Sequence, residues 1–490
     1  MAKRFWALTV LTVFLLAAGT VQAQSVDDKI KSLEQELSQL KDQQIEMKKE
    51  ATAAAAALPT FSYRPGNGLN IEAADKSWGF RATIESHFRM YFNQGQDQYE
   101  RTNGEIEARR FRPGFFYCID NCLWEIESTW DLDGFGGNSL FQRAVVHFHA
   151  ENLNPFLPTI DFGADVSTSA GGTIRQGSSA IGTQADYDLM SRNNGFNTGS
   201  SGQGIVFNWD DRPLEAIGIP GRISRFQLAY AVPGKGSDNT FMYTDRKDLV
   251  AFLGIDPLAN VKNKWLSGIK FEMGWWYCAV DQRQNGTNAV QNSCNRSRVR
   301  ENENGANSQT TIYDTGTLVG AGRQKYVNLG FQYTVGPYRW RSIVGNMNYS
   351  GGNFTPCCSQ ALKGDPSANV FLIAHDLFLW SPKGFLTGTA QTPGSILVGT
   401  HFERDNFNCN NCPNINGGQY HRERVLLREW DLWYFIAPAM SVGVNWIWYD
   451  ASNLRNGQGQ AQDEIFNKAN ARQGAGGNWV NVILNWRYTF

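Results

Sequence analysis

From Trp78 to the C-terminus, apolar and polar positions alternate in segment after segment. In "GFRATIESHFRMYFN", Phe80, Ala82, Ile84, Phe88, Met90 and Phe92 share one face, while Arg81, Thr83, Glu85, His87 and Arg89 share the other. "KYVNLGFQYTV" sets Val327, Leu329, Phe331, Tyr333 and Val335 against Asn328, Gly330, Gln332 and Thr334. The closing "NVILNWRYTF" places Val482, Leu484, Trp486, Tyr488 and Phe490 in one phase and runs to the last residue. A period of two predicts strands with one apolar and one wet face. An apolar exterior around a water-filled interior produces this pattern, so we expect an all-β fold: a transmembrane antiparallel barrel.

About sixteen segments carry the alternation. They run from "GFRATIESHFRMYF" to "NWVNVILNWRYTF", and "PTIDFGADV" and "NTFMYTDRKDLVAF" hold the pattern most loosely. Short connections such as "ID-N", "GP" and "AP" fall at one end, and the stretches after Val166, Val280, Tyr349 and Asp450 fall at the other. Outer-membrane barrels have short periplasmic turns, long outer loops and an even strand number. The barrel is therefore expected over residues 59–490, in the outer membrane of a Gram-negative-type bacterium, with lipid as its surroundings.

The chain before the barrel has a different period. Residues 1–23 carry Lys3 and Arg4, an apolar core and Val21-Gln22-Ala23, which reads as a secretory signal peptide. Residues 24–58 step through Val26, Ile30, Leu33, Leu37, Leu40, Gln44, Met47 and Ala51, a heptad seam closed by Pro59. One helix cannot bury that stripe alone. Self-association as a coiled coil is favoured over packing on the chain's own barrel, because Lys, Glu, Asp and Gln fill the outer positions.

Composition narrows the class further. Aromatics are 13% of residues and Gly numbers 49, which favours strands and turns over helix bundles. Mean hydropathy is −0.40, and no apolar run after the N-terminal segment is long enough for a membrane helix. The net charge of −1 gives no global field for a nucleic-acid partner. Eight cysteines in an exported chain point to pairing: Cys118 and Cys122 flank "IDN", Cys278 precedes Cys294, Cys357 and Cys358 are adjacent, and Cys409 and Cys412 bracket "NN". The last pair has the spacing of a redox or metal motif as well. Pro413 follows Cys412, which rules out c-type haem attachment, and structural disulfides are favoured over a metal.

The coiled coil, then "FSYRPGNGLNIEAADKSWGFRATIESHFRMYF", "EIEARRFRPGFFYCIDNCLWEIESTWDLDG", "DLMSRNNGFNTGSSGQGIVFNW" and the aromatic closing strand together resemble the phosphate-selective porin O and P family. The resemblance implies a homotrimer of sixteen-stranded barrels, a third outer loop folded inward, and anion selectivity set by basic side chains on the channel wall. By alternation Arg81, Arg89, Arg110, Arg112, Arg143, Arg225, Arg339 and Arg341 take wet faces. The long loop adds Arg175 and Arg192. Arg89, Arg143, Arg175, Arg192, Arg225, Arg339 and Arg341 are the pore-lining candidates. Glu85, Glu125, Glu127, Asp131, Glu272, Glu429 and Asp431 face inward too, so arginines paired with acids compete with a dedicated anion site.

No catalytic motif stands out: there is no G-x-S-x-G, H-E-x-x-H or phosphate loop. Among six histidines, His147 and His149 share a strand face, which suits a polar wall better than a metal site. We therefore expect no enzyme activity, cofactor or metal. The expected function is passive diffusion of small hydrophilic solutes, including anions such as phosphate. The alternatives are an outer-membrane scaffold working through its coiled coil, or a barrel sheathing a redox protein in an electron conduit.

Overall fold

The computed structural model describes residues 26–56, 58–95, 103–130, 132, 141–166, 174, 202–218, 223–231, 248–279, 298–300, 311–314, 317–319, 323–350, 353–355, 362–363, 365–381, 383, 391–410, 423–452 and 477–489. The chain divides into two compact units, one holding the N-terminal segment and one holding the barrel. In the first, helix α1 (Val26–Ala56) leaves its apolar stripe in solvent: Leu33 is 63% exposed and Leu40 62%. The signal segment over residues 1–23 lies outside the described residues.

A hairpin, β1 (Thr60–Arg64) and β2 (Gly68–Glu72), precedes the barrel. Gly68 turns it at φ +79°, where a Cβ would lie 2.0 Å from the Ala82 carbonyl oxygen, so only glycine fits. The first barrel strands are β3 (Trp78–Gly95), β4 (Asn103–Ile119), β5 (Trp124–Trp130), β6 (Phe141–His149), β7 (Thr159–Val166) and β8 (Gly202–Trp209). They continue as β9 (Ile223–Ala231), β10 (Asp248–Ile255) and β11 (Ile269–Ala279). Short pieces outside the barrel follow: β12 (Arg298–Arg300), β13 (Thr311–Asp314) and β14 (Thr317–Val319). After β15 (Arg323–Val335) and β16 (Tyr338–Ser350) come two more such pieces, β17 (Asn353–Thr355) and β18 (Leu362–Lys363). The barrel ends with β19 (Asp365–Trp380), β20 (Ile396–Asn410), β21 (Glu423–Ala437), β22 (Met440–Ser452) and β23 (Gly477–Thr489).

Each barrel strand pairs antiparallel with its neighbour, and β23 closes onto β3 from Thr489↔Glu85 to Trp479↔Gly95, giving a closed sixteen-stranded barrel. Closure removes the edges that hydrocarbon cannot satisfy. The connections at one end are short, as at Asp120–Leu123, Gly336–Pro337 and Pro438–Ala439. The segment expected as "NTFMYTDRKDLVAF" is a strand from Asp248, ending at Ile255; residues 239–247 lie outside the described ones.

Apolar side chains point outward around the circumference: Phe271 and Met273 on β11, Leu329 on β15, Val344 on β16, and Trp430 and Leu432 on β21 are exposed. No described helix is long and apolar enough to cross a membrane. One outward histidine keeps a partner: the Tyr338 hydroxyl lies 2.6 Å from His375 Nδ1, and Trp340 stacks on the same imidazole at 5.9 Å. Such aromatics suit the boundary between hydrocarbon and headgroups.

Candidate functional site: the barrel interior

The alternation that turns apolar residues outward brings a second set of side chains together inside. On β5 to β9 they form one continuous belt. Arg143 Nη1 donates to Glu127 Oε1 at 3.0 Å, and Thr129 Oγ1 donates to the same oxygen at 3.3 Å. His147 sits between two carboxylates, with Nε2 3.2 Å from Glu127 Oε2 and Nδ1 2.7 Å from Asp161 Oδ1. Asn208 Nδ2 donates to Asp161 Oδ2 at 2.6 Å, and Gln227 Nε2 donates to Asn208 Oδ1 at 2.7 Å. These contacts occupy both ring nitrogens of His147. His149, whose ring centre lies 6.3 Å away, has Nδ1 2.8 Å from Glu151 Oε1. The two histidines thus act as wall residues with separate carboxylate partners, and no group of metal-ligating side chains occurs among the described residues.

Opposite lies a more deeply buried set. Arg339 Nη2 and Arg341 Nη2 approach Asp376 Oδ2 at 2.8 and 2.7 Å, and neither Arg341 nor Asp376 is exposed at all. His401 lies between Glu429 (3.3 Å) and Glu403 (3.4 Å), Asn445 Nδ2 donates to Glu429 Oε1 at 2.7 Å, and the Arg487 guanidinium covers the Trp433 ring at 4.4 Å. Here the expectation of a uniformly wet inner face fails. Leu372, Ala374, Leu397, Leu427 and Ile447 also point inward and are fully buried, and Phe378, Leu397, Trp433 and Phe435 form an apolar cluster beside the ion pairs. On β3 to β6 the inward Arg81, Thr83, Arg112, Glu125, Thr129 and Arg143 are only half-buried, while His87, Glu127 and Val145 are buried.

The pore-lining candidates therefore divide. Arg339 and Arg341 share one aspartate, and Arg143 pairs with Glu127. Arg225 is exposed near the turn end of β9. Arg89 lies in register with Asn485 and Glu107, with its side chain outside the described residues, as Arg175 and Arg192 are entirely. One residue of the third long connection is described. Ile174 is buried, and its N–H donates to Glu272 Oε2 on β11 at 2.7 Å, while Lys270 Nζ holds the other oxygen at 2.9 Å. Cys118 and Cys122 are disulfide-bonded across the β4–β5 turn. The thiols of Cys278 and Cys409, and all of Cys294, Cys357, Cys358 and Cys412, lie outside the described residues.

Sequence reasoning missed the inward apolar cluster and the acid-clasped histidines. The single available signal was the coincidence of His and acid on facing strands, which requires the register to be known.

A closed barrel of sixteen strands with an apolar outer band and charges gathered inside is an outer-membrane β-barrel of porin size, located in a Gram-negative outer membrane. No protein-family model matches the chain, and no curated protein does. Among solved structures the chain is similar to OmpT, an outer membrane protein of Vibrio cholerae, at 10% identity over 84% of this chain and 98% of that one, with a TM-score of 0.47. An anion-selective porin from Comamonas acidovorans matches at 9% identity over 84% and 100%, TM-score 0.47. The outer membrane channel DcaP of Acinetobacter baumannii matches at 8% over 84% and 98%, TM-score 0.47. The assignment to the barrel class rests on closure, strand number and the lipid-facing band of this chain.

Proposed function

We propose that the protein is a porin that passes small hydrophilic solutes, anions such as phosphate among them, by diffusion through a homotrimer of barrels. The observation that carries this reading is the set of half-buried polar side chains on β3 to β6, Arg81, Thr83, Arg112, Glu125, Thr129 and Arg143, inside a closed sixteen-stranded barrel, opposite a wall that packs its own side chains. Solutes would follow the polar side, where hydroxyls, guanidinium groups and carboxylates replace water around a hydrated ion. Planar-bilayer recording of the purified full-length protein tests it. Discrete steps of a steadily open channel are expected, and a silent bilayer at high protein load would overturn the porin reading.

A scaffold role is the second reading, favoured by the exposed stripe of α1, in which Ile30, Leu33, Leu37, Leu40 and Met47 all lie in solvent. In the porin reading that stripe joins copies of the same chain. In the scaffold reading it joins the membrane to another protein.

A further inference from the structure

Arg81 sits near the turn end of β3, in register with Phe116 on β4, and its guanidinium carbon lies 4.0 Å from the centre of the Phe116 ring. Phe80 and Phe115, the residues before each, stack together on the outer face, so the Arg81–Phe116 pair faces inward. Among the described residues Arg81 pairs with no carboxylate, and its buried Nε has no hydrogen-bond partner. The acids of the neighbouring wall are engaged elsewhere: Glu127 with Arg143 and His147, Glu85 with His87 at 3.1 Å. Glu125 faces the same lumen one row nearer the turns and makes no ion pair with Arg81. Beside the pair the wall is tightly packed: Gly114 is buried, with no room for a side chain. A Cβ there would lie 2.7 Å from Thr83 Oγ1, 3.4 Å from the Phe116 ring edge and 3.6 Å from Thr129 Oγ1.

We propose that Arg81, held on the Phe116 ring, forms a contact site for small organic carboxylates entering or leaving the barrel. Phe116 covers one face of the guanidinium and holds it flat, which directs the N–H edge into the lumen. A planar fork of two N–H groups matches the two oxygens of a carboxylate, and the Thr83 hydroxyl adds a donor at the side. A phosphate dianion asks for more donors than this niche supplies. The proposal deepens the porin reading by naming a solute class, and it rests on that reading for its role in transport.

Binding is measured directly by saturation-transfer NMR of sodium acetate on the full-length protein in detergent, with variants checked for folding by their heat-dependent shift on gels. Arg81→Gln should weaken acetate binding about tenfold, the loss of one charge-assisted hydrogen bond. Arg81→Lys, which keeps the charge but loses the flat fork, should fall between. Equal acetate signals from folded wild type and Arg81→Gln would overturn the site. Displacement of acetate by inorganic phosphate at lower concentration than acetate's own half-saturation would overturn the carboxylate assignment. A silent bilayer with Arg81-dependent binding intact would remove only the channel reading.

Discussion

At the scale of single residues, the barrel keeps much of its interior charge beside an opposite charge, and the cost of a wrong substitution depends on which partner is left behind. Asp376 has both Arg339 and Arg341 on one oxygen and is fully buried. Removing the carboxylate takes its ion-pair contact from two guanidinium groups, whereas removing Arg339 leaves the shorter Arg341–Asp376 contact in place. Breaking a buried pair from one side typically costs about 3–5 kcal/mol, because the remaining charge is uncompensated. Asp376→Ala should therefore lower unfolding stability by about that amount, and Arg339→Gln by clearly less, as Arg339 keeps some solvent access. Urea unfolding of the barrel in vesicles, followed by tryptophan fluorescence, measures both. Equal small shifts for the two variants would show that water already screens the cluster. The same logic separates Arg81 from Arg143, Arg339 and Arg341, since it is stacked on an aromatic ring, as Arg487 is on Trp433.

At the scale of elements, the two periodicities of the chain lead to separate expectations. Helix α1 presents its heptad stripe to solvent, and Leu33 and Leu40 occupy the same position in successive repeats. If three copies bury that seam together, Leu33→Asn with Leu40→Asn should shift the purified protein from trimer to monomer mass in native mass spectrometry. Persistence of the trimer would place the association elsewhere, and a monomeric wild type would remove the coiled-coil proposal. The strands were legible in the sequence wherever one face was apolar and the other polar: β15 and β23 read directly from Val327, Leu329 and Phe331, and from Val482, Leu484 and Trp486. In β19 the rule fails for a physical reason. Val370, Leu372 and Ala374 point inward while Phe371, Ile373 and Leu377 point outward, so a period of two carries no contrast. Partnerships such as His147 between Glu127 and Asp161 span three strands and depend on the register between them, which the pattern within any one strand does not give.

At the scale of the whole molecule, the question is what net field a permeating ion meets. Arg339 and Arg341 stand beside Asp376 near the turn end of β16, and Arg225 stands at the turn end of β9. Glu429, Glu403 and Asp405 oppose them from the buried wall of β20 and β21. Fixed charge acts on ions over a screening length of about 30 Å at 0.01 M salt, wide enough for both clusters to be felt, but only about 3 Å at 1 M. Replacing Arg225, Arg339 and Arg341 together with Gln removes three cations and leaves Asp376 uncompensated. The reversal potential in a salt gradient should then move toward cation preference at low salt and converge with the wild type near 1 M, with conductance largely retained. Because Arg341 and Asp376 are shielded by packing while Arg225 is exposed, Arg225→Gln alone should account for most of the low-salt shift. A reversal potential that stays put in the triple variant at low salt would mean that ions pass these arginines at a distance, along the β3 to β6 wall where Arg81 and Arg143 stand.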